Sequence, residues 1–366
     1  MSGKVNYTKG IFYLLLCLGV IAVGAVLKVT AEVVLPVTIA VFLSLVFHPV
    51  INTLHTRFKI PTFLGITIIF LIVFVVMLFV GTLLVSSTKA ILALYPKYEE
   101  RFLTIYVAMA DIFNLPYNQE LSLINNLWSQ LGIRNAIQSI AVSASNNLIT
   151  FVRNLTVVCL FVIFLITEIG LFKAKAVAAL DGKSPGRITF IMRDIIQQVT
   201  KYISVKFFIS LLTGIFVALG VTLVKLDFPI IWGFIAFVLN FIPNFGSILS
   251  GVMTTFFALV QFWPDPKPVI WVGFVMLAVN MILGNFVEPK VQGRNLGISP
   301  FIIIVSLSVW GWLWGFLGMI LAVPMMVILK IVCENIEFLQ PLSILMGSRA
   351  PEMRVPEDKD STEAQA

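Results

Sequence analysis

Residues Gly284–Pro324 read GNFVEPKVQGRNLGISPFIIIVSLSVWGWLWGFLGMILAVP, and the fold turns on how this stretch is placed. It opens with a compact polar cluster, Asn285, Glu288, Lys290, Gln292, Arg294 and Asn295, punctuated by Gly293 and Gly297. An uncharged run follows, from Ser299 to Leu329. As one helix, those roughly 31 residues would extend about 46 Å, against a hydrocarbon core of about 30 Å; two full crossings would take about 40 residues. The middle is also a poor helix, with Gly311, Gly315 and Gly318 interleaved with Trp310, Trp312 and Trp314. Two short arms joined at a Gly/Trp bend fit the length. The stretch therefore predicts a re-entrant hairpin whose tip sits at membrane depth, buried in protein or facing a watery cavity.

The rest of the chain supports a membrane setting. Apolar residues make up 59% of the 366 and charged residues 12%, and mean hydropathy is strongly positive. Several uncharged runs exceed about 18 residues, the signature of a polytopic α-helical membrane protein; a barrel would show short alternating segments instead. Cys17, Cys159 and Cys333 lie in or beside apolar runs, without metal spacing or the look of a disulfide framework.

Going outward to the N-terminus, Ile11–Leu27 could pass for a signal peptide, but it is long for one and a second apolar run starts at Val33. It reads as an uncleaved first span. Val33–Phe47, a loop from His48 to Pro61, and Thr62–Val85 follow. Lys89–Thr150 is polar, with helical spacing at Phe102, Ile105, Met109 and Ile112 and again at Leu121, Ile124, Trp128 and Leu131. It reads as amphipathic helices outside the bilayer that pack, with an external ligand as the alternative. Phe151–Leu171 is the fourth span, Lys173–Lys206 a basic cytoplasmic segment and Val205–Val224 the fifth span. The chain thus divides into residues 1–88 (three spans), 89–150 (extracytoplasmic), 151–204 (span plus basic segment), 205–333 (core) and 334–366 (polar cytoplasmic tail).

A second interrupted segment precedes the first. Ile230–Phe262 is too long for one span and too short for two, and it breaks at Asn240-Phe241-Ile242-Pro243-Asn244-Phe245-Gly246. Pro243 opposes a continuing helix and Gly246 permits a positive φ. The order of span, turn, proline and interrupted segment therefore occurs twice, as 205–262 and 269–330. With both interrupted segments re-entering and both termini cytoplasmic, about two thirds of the 25 Lys and Arg fall inside. The two copies then lie in opposite orientation, the inverted-repeat plan that builds a midplane site from broken helices in secondary transporters. The predicted fold is an all-α polytopic membrane protein of about eight membrane segments, two of them interrupted re-entrant hairpins.

Polar residues at these breaks are the candidate site. Asn240, Pro243, Asn244 and Gly246 at the first break, with Asn280 and Asn285 on the span between, offer neutral donors, acceptors and freed backbone for a solute; Ser247 and Ser250 serve the same end or cap backbone groups. Glu288, Lys290 and Arg294 form an internal charge cluster or a solvated turn, and Gly311 and Gly315 supply a gate at the second tip. Glu168 is a further titratable group at a span end. No P-loop, HExxH or nucleophile elbow occurs, so neither an enzyme nor an ATP-driven pump is expected, nor any cofactor, metal or nucleic acid.

These residues resemble a known family. Phe241-Ile242-Pro243-Asn244-Phe245-Gly246, Glu288-Pro289-Lys290 with Gly293-Arg294-Asn295-Leu296-Gly297, and Ser306-Leu307 through Trp310–Gly315 into Gly318-Met319 and Ala322-Val323-Pro324 look like the autoinducer-2 exporter family of bacterial membrane proteins. Ala31-Glu32 with Pro36, and Lys206 before Gly214, extend the likeness over most of the chain. The resemblance implies inner-membrane transporters assembled as homo-oligomers, a pentamer being the stoichiometry considered. Some members are tied to export of the quorum-sensing signal autoinducer-2, others to sodium or lithium/proton antiport. The sequence thus carries three readings: an exporter of a small polar metabolite, a monovalent cation/proton antiporter relying on Glu288 or Glu168, and a non-transporting scaffold assembled through 89–150.

Overall fold

A computed structural model describes residues 7–112, 153–168, 171, 175, 185–292 and 297–348. Among these the chain is helical, with one isolated β-bridge between Ile298 and Gly347. Five helices among the described residues are long and apolar enough to cross a bilayer: Ala31–Phe58, Thr189–Thr222, Phe245–Phe262, Pro266–Gln292 and Pro300–Asn335.

The N-terminal helices are α1 (Tyr7–Val29), α2 (Ala31–Phe58) and α3 (Thr62–Ile112). Two boundaries differ from the sequence reading. The loop placed at His48–Pro61 shrinks to a tight turn, because α2 continues through Pro49 to Phe58 and stops where Lys59 adopts a left-handed conformation (φ 54°). The third span and the start of the polar region are one continuous helix of 51 residues. Residues 113–152, with the second amphipathic pattern, lie outside the described residues. A helix over 153–168, α4, packs Val158, Val162 and Ile166 against Ala40 and Ile51 of α2 and Ile66 and Ile69 of α3.

The core begins with α5 (Pro185–Thr222), 38 residues that run through the position where the basic segment was expected to give way to a span. Helices α6 (Pro229–Leu239) and α7 (Phe245–Phe262) then fold back on each other. Trp232 near the start of α6 meets Phe257 near the end of α7, with ring centroids 5.0 Å apart, so the pair is an antiparallel hairpin with its tip at 240–244. At that tip Asn244, not Gly246, takes the positive φ (61°, with ψ −52°). Gly246 is required by proximity, since a Cβ there would lie 1.7 Å from the Leu239 carbonyl oxygen. The hairpin's two ends are tied at a shared mouth: buried Gln261 accepts from the Asp227 amide at 2.8 Å and donates to the Lys225 carbonyl at 3.0 Å.

The next helix, α8 (Pro266–Gln292), is α-helical to Val279, π-helical over Asn280–Val287 and α-helical again from Glu288. It runs antiparallel to α5, with Trp271 Nε1 donating to the Gly220 carbonyl at 3.1 Å.

The opening stretch then folds back on itself. Helix α9 (Pro300–Asn335) is broken at Trp314 (φ −126°, ψ 16°) and Gly315 (φ 63°, ψ −142°). Ser306 Oγ donates to the Ala322 carbonyl at 3.0 Å. In an unbroken helix those residues would stand about 24 Å apart, so the two arms lie side by side. Gly318 makes this possible, because a Cβ there would come within 2.0 Å of the Trp310 carbonyl oxygen. The mouth of this second hairpin is clasped from outside. Short helix α10 (Gln340–Met346) brings Met346 to accept from the Ser299 amide at 2.9 Å, and the Ser348 amide donates to Gly297 at 3.0 Å.

Both interrupted segments are therefore helical hairpins. Mouth one adjoins the start of α8 and mouth two follows its end, about 40 Å away along the helix axis. The hairpins point in opposite directions. Ile242 of the first tip belongs to one buried apolar cluster with Leu307, Trp310 and Val323 of the second hairpin, Tyr202 of α5 and Phe42 of α2.

Candidate functional site

Where the hairpins meet, α5 presents Lys206, Ser210 and Thr213 at helical spacing, all buried. Lys206 is only 5% exposed, which makes its charge the unusual feature of the region. Its Nζ donates to both carboxylate oxygens of Glu288, at 2.8 and 3.0 Å. One helical turn further, about 6 Å along α5, Ser210 Oγ accepts from Asn240 Nδ2 at 3.0 Å. Asn240 is buried at the start of the first hairpin's tip. The site is thus an ion pair joining α5 to α8, with a neutral amide–hydroxyl pair beside it that pins a hairpin tip.

The chemistry of this arrangement follows from burial. A lone ammonium at that depth would lack both water and a counter-ion, and the bidentate carboxylate supplies the counter-charge. The pair is net neutral but made of two strong, directional partners. A polar solute or ion entering between the helices can compete for either half, and the Asn240 amide beside it adds neutral hydrogen-bonding capacity.

The predicted residues fall into three groups. Asn240 and Glu288 come together through α5. Pro243 is half-buried, Asn244 exposed and Gly246 buried at the same tip, and Ser247 and Ser250 donate to backbone carbonyls of their own turn, at 3.0 Å each. Asn280 turns inward on its own helix, donating to the Met276 carbonyl at 2.8 Å, whereas Asn285 and Lys290 are exposed. Gly311 is half-buried between the arms of the second hairpin and Gly315 exposed at its tip. Glu168 is exposed at the end of α4. Gly293, Arg294 and Asn295 lie outside the described residues. Of the three residues expected to form either a charge cluster or a solvated turn, Glu288 pairs with Lys206, Lys290 is exposed and Arg294 is not described; the sequence reading counts Lys206 itself among the cytoplasmic basic residues.

A second polar contact lies at mouth one. One face of α3 carries Lys97, Tyr98, Arg101 and Phe102 onto it. Tyr98 Oη and Lys97 Nζ both donate to the Asp227 carboxylate, the latter at 3.3 Å, and Arg101 donates to the Trp263 carbonyl. Tyr98 stacks against Phe257 with centroids 5.2 Å apart. Burial, and then the bond to Asp227, hold the Tyr98 hydroxyl protonated well above the usual tyrosine range. At the second tip, Trp314 Nε1 donates to the Leu27 carbonyl at 3.1 Å and Lys28 Nζ sits 3.5 Å over the Trp312 ring.

Known proteins share this plan of sequence. A protein of Borreliella burgdorferi named "Putative transport protein" is 33% identical over 339 residues, covering 93% of this chain and 91% of its own. A Haemophilus influenzae protein of the same name is 30% identical, over 90% and 94%. The AI-2 transport protein TqsA of Escherichia coli is 27% identical, over 88% and 91%. The model of one family, described as AI-2E family transporter, matches residues 11–338. The family model and the near full-length similarity together show that the chain belongs to the AI-2E family of multi-pass membrane transporters.

Proposed function

We infer that this chain is an ATP-independent transporter of the bacterial inner membrane that exports a small polar metabolite, with autoinducer-2 as the model cargo. The observation that carries this reading is the buried Lys206–Glu288 pair beside Asn240, where two oppositely directed hairpins meet. Broken helices converging on a polar spot at membrane depth are how many secondary transporters hold a solute. In this reading both hairpins re-enter the bilayer and the solute passes between their tips, contacting Asn240 and exchanging with one partner of the ion pair. The name of the E. coli relative supports autoinducer-2 as cargo. The homo-oligomer expected from the sequence belongs to the same proposal.

Reconstituted proteoliposomes loaded with autoinducer-2 test it. Efflux from wild-type vesicles should exceed that from empty liposomes and from Glu288→Gln vesicles. Equal efflux in all three refutes the reading. A second reading, monovalent cation/proton antiport, draws on the same pair, since Glu288 is an acid whose counter-ion could be exchanged. Sodium- or lithium-driven pH changes in the same vesicles, abolished by Glu288→Gln, would select it.

A further inference from the structure

The ion pair depends on an irregular helix. In an α-helix the amide of Glu288 would bond to the carbonyl of Gly284, four residues back, and the side chain would stack over that glycine's face. A Cβ on Gly284 would meet nothing within 4 Å, so that face looks into open space. Instead the Glu288 amide bonds to the carbonyl of Leu283, five residues back, at the end of the π-helical run Asn280–Val287. Leu283 is buried, 7% exposed. The π turn holds one residue more than an α turn, and that surplus moves Glu288 from the outward Gly284 face to the inward Leu283 face. The Asn280 side chain, bonded to the Met276 carbonyl, marks the point where the winding changes.

We propose that the π-helical run Asn280–Val287 is the positioning element of this transporter: its five-residue step from Leu283 to Glu288 aims the carboxylate at Lys206. Leu283 and its carbonyl act through Glu288 and need touch no solute. The proposal rests on the transport reading only in linking this aim to flux; the aim itself can be tested without any cargo.

The test uses full-length protein in which Cys17, Cys159 and Cys333 are replaced by serine. With Lys206→Cys and Glu288→Cys, a short bifunctional thiol reagent should cross-link the native spacing. Inserting one alanine after Gly284 turns residue 288 away and puts residue 287 five places after Leu283. The 206–288 cross-link should then be lost, and Lys206→Cys with Val287→Cys should cross-link instead. Deleting Gly284 leaves Glu288 four places after Leu283, stacked over it by ordinary α winding, so the 206–288 cross-link should persist. In flux of autoinducer-2 from proteoliposomes, the insertion should lose at least about tenfold. Moving the carboxylate back with Val287→Glu and Glu288→Val should recover it. A misfolded chain gains neither the new cross-link nor the recovery. Persistence of the 206–288 cross-link after insertion, or failure of 206–287 to form, overturns the proposal. If the cross-links shift as stated while flux ignores every variant, the transport reading fails and the positioning stands.

Discussion

Replacing Lys206 by methionine removes the ammonium and leaves the Glu288 carboxylate with 17% side-chain exposure and no counter-charge. At 2.8 Å and an effective dielectric constant of about 20, the lost attraction is about 6 kcal/mol, from which the cost of desolvating Lys206 is recovered. Breaking one side of a buried pair costs about 3–5 kcal/mol, and the residual exposure of Glu288 puts this case near the lower end, about 3 kcal/mol. Glu288→Met alone leaves the more deeply buried ammonium unpaired and should cost at least as much. The double variant Lys206→Met/Glu288→Met leaves no charge behind and should unfold close to wild type, because the net contribution of such a pair over an apolar replacement is small. The assay is thermal unfolding in detergent followed by tryptophan fluorescence, assembled as a double-mutant cycle. With each single costing about 3 kcal/mol and the double almost nothing, a coupling of about 6 kcal/mol is expected, with the double variant stable but inactive in efflux. Additive losses, with the double variant the least stable of the four, would refute the argument that the two charges neutralise each other in a buried site.

Three further expectations follow from particular contacts. Gly246→Ala and Gly318→Ala push a methyl into the Leu239 and Trp310 carbonyl oxygens, so each should cost about 3 kcal/mol or more in the same unfolding assay, while Gly284→Ala, facing open space, should be neutral or slightly stabilising. Tyr98→Phe keeps the ring on Phe257 but drops the bond to Asp227, a loss of about 1 kcal/mol. The folded hydroxyl titrates above its unfolded value, so its contribution is whole below about pH 10 and disappears only as pH rises beyond that. The difference between Tyr98→Phe and wild type should therefore be flat from about pH 6 to 9, and a difference that varied across that range would refute the assignment. Cysteines replacing exposed Lys225 and Lys267, on either side of the first hairpin, should label from the same face of the membrane; labelling from opposite faces would show that the hairpin crosses.

Much of this architecture is legible because backbone rules are local. Pro243 and the Gly/Trp run at 310–318 announce breaks, and an apolar length between one span and two leaves folding back as the solution. What stayed hidden depends on register between distant helices. Lys206 looked like one of a series of basic loop residues from 173 to 206, since charge counting cannot see that α5 extends through it and turns it inward. Its pairing with Glu288 was hidden for a second reason: with α winding Glu288 would face outward, and no propensity rule announces a π turn at Asn280–Val287. Gly246 sits at the break for a different cause than expected, the positive φ belonging to Asn244 and the glycine serving close approach. Tyr98 and Arg101 went unnoticed because their partners, Asp227 and the Trp263 carbonyl, are more than 120 residues away in sequence.

The clasp at the second hairpin has a bearing on how the chain is made. Gly297 and Ser299 wait for Ser348 and Met346, about fifty residues further along, while the arms they introduce can zip together as soon as Ala322 leaves the ribosome. Helix α10 is thus the knot tied after the loop is drawn, and a nascent chain stopped before Gln340 would hold a finished hairpin with an unfastened base.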